Sequence, residues 1–377
     1  ALGRKRAPTF RWDRPALHAI ARWYQERLEA AGAWDELDLC RAALQRLASD
    51  ADAPSWDLVV CDEAQDFTDL QLSLVFRLAR DPRRVVVTAD PRQIVNPSGF
   101  RWEEVKARFF ERGLPVPEVR RLSLNFRSAG SIVRLANALL ELKQNLVGLG
   151  DTEMRESWKF AGRPPVLLHG LAEDAVIAGV GARAAGQAVL VRDAAERDAL
   201  KRRLGTEMVF TIREAKGLEF DGILLWKFAS APEAAGLWRR IRRAEIDSAE
   251  HAARVRHELA LLYVAVTRAR TTLIVYDGPR ASEVWDIDSV TDLVTRADEA
   301  ARLVELWHAA SSPAEWERQG DYLAERGYHA AALECFRNAG REDKAELAQA
   351  HVLAERGDHA AAAPLFERRG AHALAGA

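Results

Sequence analysis

The chain has 377 residues, of which 48% are hydrophobic, so it can bury a large core and is long enough for two or three domains. Its 54 Lys and Arg residues nearly balance 56 Asp and Glu residues, which gives no indication for or against nucleic-acid binding. Three scattered cysteines exclude a zinc ribbon or a disulfide framework and favour a reducing cytoplasm. No apolar run approaches the roughly 18 residues of a membrane span, so we expect a cytoplasmic protein without a membrane partner.

The first predicted elements are two amphipathic helices over residues 15–49, separated at Gly32. Eight short β-rich runs follow, with helix-like segments between many of them. The runs are LVVC (58–61), RVVVT (84–88), RLSL (121–124), PVLL (165–168), AVLV (188–191), MVFT (208–211), GILLW (222–226) and TLIVY (272–276). Apolar strands that alternate with helices indicate parallel α/β sheets covered on both faces. Eight strands exceed one small sheet, so we predict two α/β lobes that meet near residues 112–122.

The last part of the chain predicts an all-α architecture. LAERGYHAAALECFRNAG (323–340) matches LAERGDHAAAAPLFERRG (353–370) at a period of 30, and Trp316 and Tyr322 begin an earlier partial copy. A helical hairpin repeated at this period is typical of an α-solenoid, whose concave surface commonly receives protein segments. We therefore predict a protein partner for the repeats. Two alternatives remain, namely unrelated hairpins that look alike and a cap that only stabilises the second lobe.

Acidic and amide residues directly follow two of the predicted strands. Asp62 and Glu63 follow the first run, whereas Asp90 and Gln93 follow the second. Ligands gather at the carboxyl ends of strands in open α/β sheets. Asp62 can hold a Mg²⁺ ion that bridges phosphate oxygens, and Glu63 can orient or deprotonate an attacking water. The structural alternative is an acidic loop that caps the next helix.

Five segments, in this order, resemble motifs II to VI of superfamily 1 helicases of the UvrD/Rep type. They are DEAQD (62–66), ADPRQ (89–93), LNFRS (124–128), TIREAKGLEF (211–220) and LYVAVTRAR (262–270). The resemblance spans residues 58–277 and implies an ATP-dependent DNA helicase or translocase, an ATP hydrolase that uses ATP and Mg²⁺. It further implies 3′→5′ movement on single-stranded DNA and two RecA-like parallel-sheet lobes. The tail resembles tetratricopeptide-like repeats, although 30 residues is shorter than their usual period.

The resemblance also implies roles for residues around the nucleotide. Asp62 would bind Mg²⁺, and Glu63 would activate the hydrolytic water. Gln93 would sense the γ-phosphate. Arg127 and Arg268 would contact the same phosphate as arginine fingers, because a planar guanidinium stabilises charge on the transferring phosphoryl oxygens.

The later motifs imply roles for two further pairs of residues. Gly217 and Glu219 would lie near the nucleotide, with Glu219 on the ribose. Thr211 and Arg213 would face the single strand. Arg213 stands where the family commonly has His, so a specific imidazole role is lost while a phosphate contact is retained.

The third motif departs from the family, which continues after the Gln with aromatic residues that stack on bases. Here the run is QIVNPSGFRW, and Phe100 and Trp102 are the best substitutes for the stacking rings. The alternative is that both rings pack under the next helix. The sequence leaves these two interpretations open.

Two larger elements of the family are absent from the sequence. It contains no GxxxxGK[ST] loop, which holds the nucleotide phosphates, and we expect that loop to precede the given chain. A pseudo-enzyme and a loop supplied by a partner chain are the alternatives. Only 84 positions separate Arg127 from Thr211, so the accessory 2B subdomain is absent or vestigial and translocation is expected rather than robust unwinding.

The predicted organisation has four parts. Residues 1–115 form the back of the first RecA-like lobe, 116–280 the second lobe, 281–310 linker helices, and 311–377 the helical-repeat tail. Without the phosphate loop we expect this chain alone to be inactive and to bind ATP weakly. The competing function is a catalytically silent scaffold that binds nucleic acid or a protein partner.

Overall fold

The computed structural model describes residues 10–50, 52–94, 100, 102–111, 113–148, 155–181, 183–307 and 310–371. The chain divides into two compact units, Ala1–Arg120 and Arg121–Ala377. Both units combine helices with parallel strands, so the predicted α/β class is confirmed. The assignment of RecA-like lobes and the predicted domain boundaries stay predictions.

The first unit contains a short parallel strand pair and four helices among its described residues. These are α1 (Phe10–Ala31), α2 (Glu36–Ser49), β1 (Val59–Cys61), α3 (Asp69–Leu78), β2 (Val85–Val87) and α4 (Trp102–Phe110). The predicted helix pair is confirmed, and Gly32 lies just beyond the end of α1 with a φ of +60°. The apolar core lies between the strands and α3 and α4, where the rings of Phe76 and Phe109 meet edge to face at 5.1 Å.

The second unit is built around a six-stranded parallel sheet within the described residues. In order across the sheet the strands are β10 (Thr295–Ala297), β5 (Val166–Leu168), β9 (Ala269–Tyr276), β8 (Phe220–Trp226), β6 (Gln187–Val191) and β7 (Val209–Thr211). A separate parallel pair joins β3 (Leu124–Asn125) to β4 (Ser157–Trp158). Seven of the eight predicted runs form strands, whereas only Leu124 of RLSL (121–124) lies in a strand, and β4 and β10 carry no strong apolar pattern and were missed.

Helices cover this sheet and explain its apolar strands. They are α5 (Gly130–Val147), α6 (Glu173–Val180), α7 (Ala194–Leu204), α8 (Pro232–Arg242), α9 (Ala249–Thr267), α10 (Asp288–Thr291) and α11 (Ala300–Trp307). Every residue of β5, β6 and β7 is buried. Strands covered on both faces lose the alternation of polar and apolar residues, which is why the sequence shows continuous apolar runs.

The tail forms two helical hairpins with matching turns. Its helices are α12 (Pro313–Ala324), α13 (His329–Asn338), α14 (Glu342–Glu355) and α15 (His359–Arg368). Gly327 and Gly357 have the same φ of +80°, and Gly340 and Gly370 have φ values of +68° and +71°. These left-handed turns favour glycine, so the 30-residue period of the sequence is also a period of backbone geometry.

None of the helices in the described ranges is long and apolar enough to cross a bilayer.

Candidate functional site

The first part of the candidate site lies at the carboxyl ends of β1 and β2. Beyond the last paired residues, the ladder continues through hydrogen bonds from Thr88 N–H to the Cys61 carbonyl and from Ala64 N–H to the Thr88 carbonyl, both 2.9 Å. The Asp62 carboxylate accepts hydrogen bonds from the Glu63 N–H at 2.9 Å and from the Thr88 hydroxyl. Asp62 is nevertheless exposed. The structure thus holds one carboxylate in place and presents it to solvent.

The backbone at Glu63 adopts a left-handed conformation with a φ of +53°. Such a conformation costs a non-glycine residue roughly 1–2 kcal/mol, so neighbouring contacts must hold it. Gln65 supplies one of them, because its amide group donates to the Glu63 carboxylate. The other atom of that amide, Oε1, accepts from the Asp90 N–H at 2.9 Å. Gln65 is completely buried and therefore joins the ends of the two strands.

Asp90 is the centre of a second set of polar contacts. Its carboxylate accepts from Arg92 Nε at 2.7 Å and from Gln93 Nε2 at 2.9 Å. Burial acts to raise the pKa of Asp90, but the Arg92 guanidinium and the Gln93 amide outweigh it and hold that pKa below its usual value. Gln93, predicted to sense a γ-phosphate, therefore uses its amide to bind Asp90 in this structure.

The exposed carboxylate suits a magnesium ion that binds mainly through water and phosphate. Mg²⁺ typically takes only one or two protein carboxylates and completes its shell with water and substrate oxygens. Asp62 offers one such carboxylate, and its Thr88 contact fixes the carboxylate orientation. Among the described residues, no three His, Cys, Asp or Glu side chains gather as a metal-binding cluster. The geometry fits an ion shared with a nucleotide rather than a closed structural metal site.

The two rings predicted to stack on bases lie in or beside the core of the first unit. Phe100 is 7% exposed and packs with the core residues, and Trp102 meets it edge to face at 5.4 Å. This placement favours the packing alternative that the sequence left open. Residues 95–99, which also belong to the third motif, lie outside the described residues.

In the second unit, the residues predicted to lie near the nucleotide are paired with each other. The guanidinium of Arg127 lies 2.7 Å from the carboxylate of Glu219, and both side chains are partly exposed. Arg127 follows β3, where the Asn125 side chain accepts hydrogen bonds from the N–H groups of Arg127 and Ser128. Asn125 thereby fixes the turn that carries the arginine. The structure brings Arg127 and Glu219 together, and their predicted contacts with a nucleotide stay predictions.

Arg268 is placed differently from the expectation of an arginine finger. Its side chain is buried, with 2% of the residue exposed, at the end of α9. The guanidinium donates to the carbonyls of Val264 at 3.1 Å and Leu218 at 3.2 Å. In this structure Arg268 therefore joins α9 to the loop before β8, and the predicted phosphate contact stays a prediction.

That loop, residues 211–219, carries most of the remaining predicted residues. Thr211 is buried, and its N–H donates to the Glu214 carboxylate while its hydroxyl accepts from the Glu214 N–H. These two reciprocal hydrogen bonds close the turn, so Thr211 is not presented to single-stranded DNA. Arg213 is exposed, and Gly217 is exposed with a φ of +79°. Of Thr211 and Arg213, the two residues of this loop predicted to face single-stranded DNA, only Arg213 is therefore exposed enough to contact a ligand.

Two tyrosines at the start of the tail hold the same loop. The Tyr322 hydroxyl accepts from the Glu219 N–H at 2.9 Å and donates to the Gly217 carbonyl at 3.4 Å. The Tyr328 hydroxyl donates to the Glu214 carbonyl, and its ring meets Phe210 edge to face at 5.5 Å. These contacts could not be predicted from the sequence, because they join residues more than 100 positions apart. The sequence could have singled out Gln65, since an amide residue between two acidic residues, Glu63 and Asp66, directly after a strand is unusual.

Comparison with known proteins finds a similarity to a helicase domain in the first unit. Residues 8–109 match the model of the UvrD/REP helicase N-terminal domain. The chain is 33% identical over 110 residues to F-box DNA helicase protein 1 of Schizosaccharomyces pombe, which covers 29% of this chain and 12% of that protein. These matches support a UvrD-type, helicase-like character for this part of the chain.

A longer match includes the second unit. The chain is 28% identical over 407 aligned positions to human TPR and ankyrin repeat-containing protein 1, covering 93% of this chain but 14% of that protein. The chain thus spans only a small part of the curated relatives it matches. A solved structure, the C-terminal domain of a possible DNA helicase from Lactobacillus plantarum WCFS1, is 18% identical, covers 46% of this chain and 98% of its own, and has a TM-score of 0.29.

Proposed function

We propose that this chain belongs to an ATP-dependent translocase of superfamily 1 that moves on single-stranded DNA. The observation that carries the proposal is the arrangement at the ends of β1 and β2. There, two exposed acids, Asp62 and Glu63, are fixed by Thr88 and Gln65. The helicase match over residues 8–109 includes this arrangement and supports the same reading.

The proposed mechanism assigns the two acids different tasks. Asp62 would hold a Mg²⁺ ion, which would supply positive charge beside the nucleotide phosphates. Glu63 orients the attacking water and accepts its proton. Gln65 donates to the Glu63 carboxylate, which keeps that carboxylate from rotating freely. Rigid positioning of this kind is how enzymes lower the entropic part of a barrier.

Arg127 and Glu219 supply a second set of groups in the proposal. In this structure, the Glu219 carboxylate neutralises the guanidinium of Arg127. A nucleotide phosphate competes for that guanidinium and leaves Glu219 available for a ribose hydroxyl. Both side chains are partly exposed, so the exchange requires no unfolding of the second unit.

The proposal includes a protein partner for the tail and a 3′→5′ direction of movement. The direction follows from the resemblance of the motifs alone. The tail forms two hairpins of equal turn geometry, as repeat proteins do, and the human relative carries repeats in its name.

The test uses the complete gene product, with any residues that precede Ala1. We expect it to hydrolyse ATP, and single-stranded DNA to stimulate that hydrolysis. Glu63→Gln should abolish turnover and leave nucleotide binding intact, because the amide keeps the shape but cannot accept the proton. Glu103→Gln makes the same chemical change at an exposed position of α4 and is the matched control.

The second candidate function is a catalytically silent scaffold that binds nucleic acid or a protein. It is favoured by the long match to a relative not named as a helicase, and by the missing GxxxxGK[ST] loop only if the complete gene product also lacks that loop. A complete gene product without ATP hydrolysis would decide for the scaffold, whereas normal hydrolysis by Glu63→Gln would refute the role assigned to Glu63.

A further inference from the structure

A large cleft lies in the second unit between the end of α7 and the tail helices α13 and α14. Its volume is about 800 Å³, within the roughly 300–1,000 Å³ of ordinary ligand sites. It lies away from every residue that the helicase motifs single out. Its lining is rich in cations, namely Arg183, Lys201, Arg202, Arg337 and Arg356.

Two of these cations are already paired. Lys201 lies 2.7 Å from the Glu207 carboxylate, and Arg183 lies 2.8 Å from that of Glu334. These are the two carboxylates of the lining. The other three arginines are exposed and make no ion pair with any described residue. The cleft therefore carries a net positive charge that the fold itself does not neutralise.

Arg183 provides an independent indication of an anion-binding site. Its side chain is only 10% exposed, and its Nη2 donates to Glu334, but its Nε is buried without a hydrogen-bond partner. Burial lowers the pKa of this guanidinium, and the Glu334 carboxylate only partly opposes that effect. An unsatisfied buried donor destabilises the fold, so an anionic acceptor in the cleft would relieve a penalty already present.

The remaining lining indicates what kind of anion fits. Trp316 is half-buried beside the cations, and amide side chains come from two neighbouring helices, Asn338 on α13 and Gln349 on α14. Amides can pair with peptide N–H and C=O groups, and a tryptophan offers apolar area to a side chain. A single-stranded nucleic acid would need a succession of rings for its bases, whereas this cleft offers one.

We propose that this cleft binds an acidic segment of a partner protein. Carboxylates of that segment pair with Arg202, Arg337 and Arg356, and the Arg183 side chain turns so that its Nε, which is closed to solvent in this structure, donates to one of them. The inference deepens the partner-binding part of the proposed function and rests on it. It involves neither ATP nor DNA, so its failure would leave the proposed motor activity untouched.

The experiment measures fluorescence anisotropy of the 377-residue chain with two matched sets of short labelled peptides. Every second residue is Glu in one set and Gln in the other, and the residues between them vary. We expect the chain to bind the best Glu peptides at least about tenfold more tightly than their Gln counterparts, with weakening at high salt. The double variant Arg202→Glu, Arg356→Glu should lose at least about tenfold in affinity, since both charges act directly on the peptide.

The control variant, Arg134→Glu with Arg280→Glu, changes two exposed arginines of the same unit that do not line the cleft. It should bind like the unmodified chain, and circular dichroism should show both variants folded. Equal binding of the Glu and Gln sets overturns the proposal. So does unchanged binding by the cleft variant, or stronger binding of oligo-dT through the same arginines.

Discussion

The Tyr322 hydroxyl accepts a hydrogen bond from the backbone N–H of Glu219 at 2.9 Å, so a tail residue holds the backbone of a residue predicted to lie near the nucleotide. The same hydroxyl donates to the Gly217 carbonyl. Since Glu219 also pairs with Arg127, the tail, the loop and the arginine form one connected set of contacts. The start of the tail therefore belongs structurally to the second unit.

Tyr322→Phe should remove this connection without changing the packing of the ring. The Glu219 N–H would lose its partner, at a cost of about 1 kcal/mol. Hydrogen exchange should show that amide exchanging roughly fivefold faster, the equivalent of that free energy. The ring contact with the Arg326 guanidinium, 3.9 Å from the ring centre, is retained in the variant.

Tyr328→Phe is the matched control for this prediction. It removes the hydroxyl that donates to the Glu214 carbonyl and leaves the Glu219 amide alone. If the Glu219 amide exchanged at the same rate in both variants, the assigned contact would be wrong.

Gln65→Leu should destabilise the first unit. The substitution keeps a side chain of similar size but leaves the Asp90 N–H without its acceptor and the Glu63 carboxylate without its donor. Because Gln65 is completely buried, we expect a loss of about 1–3 kcal/mol in the free energy of unfolding, measured with urea. Gln45→Leu, at an exposed position of α2, should change it by less than about 0.5 kcal/mol. Equal effects of the two substitutions would contradict the bridging role of Gln65.

The sequence predicted the parts of the fold that depend on local pattern. Continuous apolar runs such as 188–191 and 222–226 mark buried parallel strands, and they were recognised because burial on both faces removes polar residues. The strands β4 and β10 lie at sheet edges or in a two-stranded pair, where little burial shapes the sequence, and they were missed.

The site was predicted less completely, because side-chain partners come from distant parts of the chain. The motifs placed Asp62 and Glu63 at a strand end, which the structure confirms. They did not reveal that Arg268 is enclosed by the carbonyls of Val264 and Leu218. Nor did they reveal Tyr322, since a tyrosine in a helical repeat has the same local pattern whether it packs on its own hairpin or on another element.

Asp90 should make the stability of the chain depend on pH at the acid end. Its folded pKa lies below the usual value of about 3.9, so its stabilising contribution is fully present above that value. The contribution is lost as pH falls through the folded pKa, because protonation breaks the pairing with Arg92. Asp90→Asn should therefore lower the free energy of unfolding near neutral pH, by about 1.5–3 kcal/mol for a charged hydrogen bond.

The measurement compares urea unfolding of the variant and the unmodified chain from neutral pH into the acid range. The difference in the free energy of unfolding between the two proteins should stay constant as the pH falls to the usual pKa of Asp, and it should shrink at lower pH. Asp57→Asn is the control, because Asp57 is exposed and its ion pair with Arg80 lies on the surface. A difference that stayed constant through the acid range would refute the role of the Asp90 charge.

Gly320→Ala should destabilise the tail although alanine favours helices. Gly320 lies inside α12, where an added Cβ would come within 2.5 Å of the buried Phe336 ring on α13. The two helices pack closely because this position has no side chain. We expect the overpacking cost, about 1–3 kcal/mol, to exceed the roughly 1 kcal/mol that alanine gains over glycine in a helix. Gly236→Ala in α8 meets no atom within 4 Å and should stabilise the chain instead. Opposite shifts of the thermal midpoint are the expected result, and stabilisation by both substitutions would show that α12 and α13 do not pack this closely.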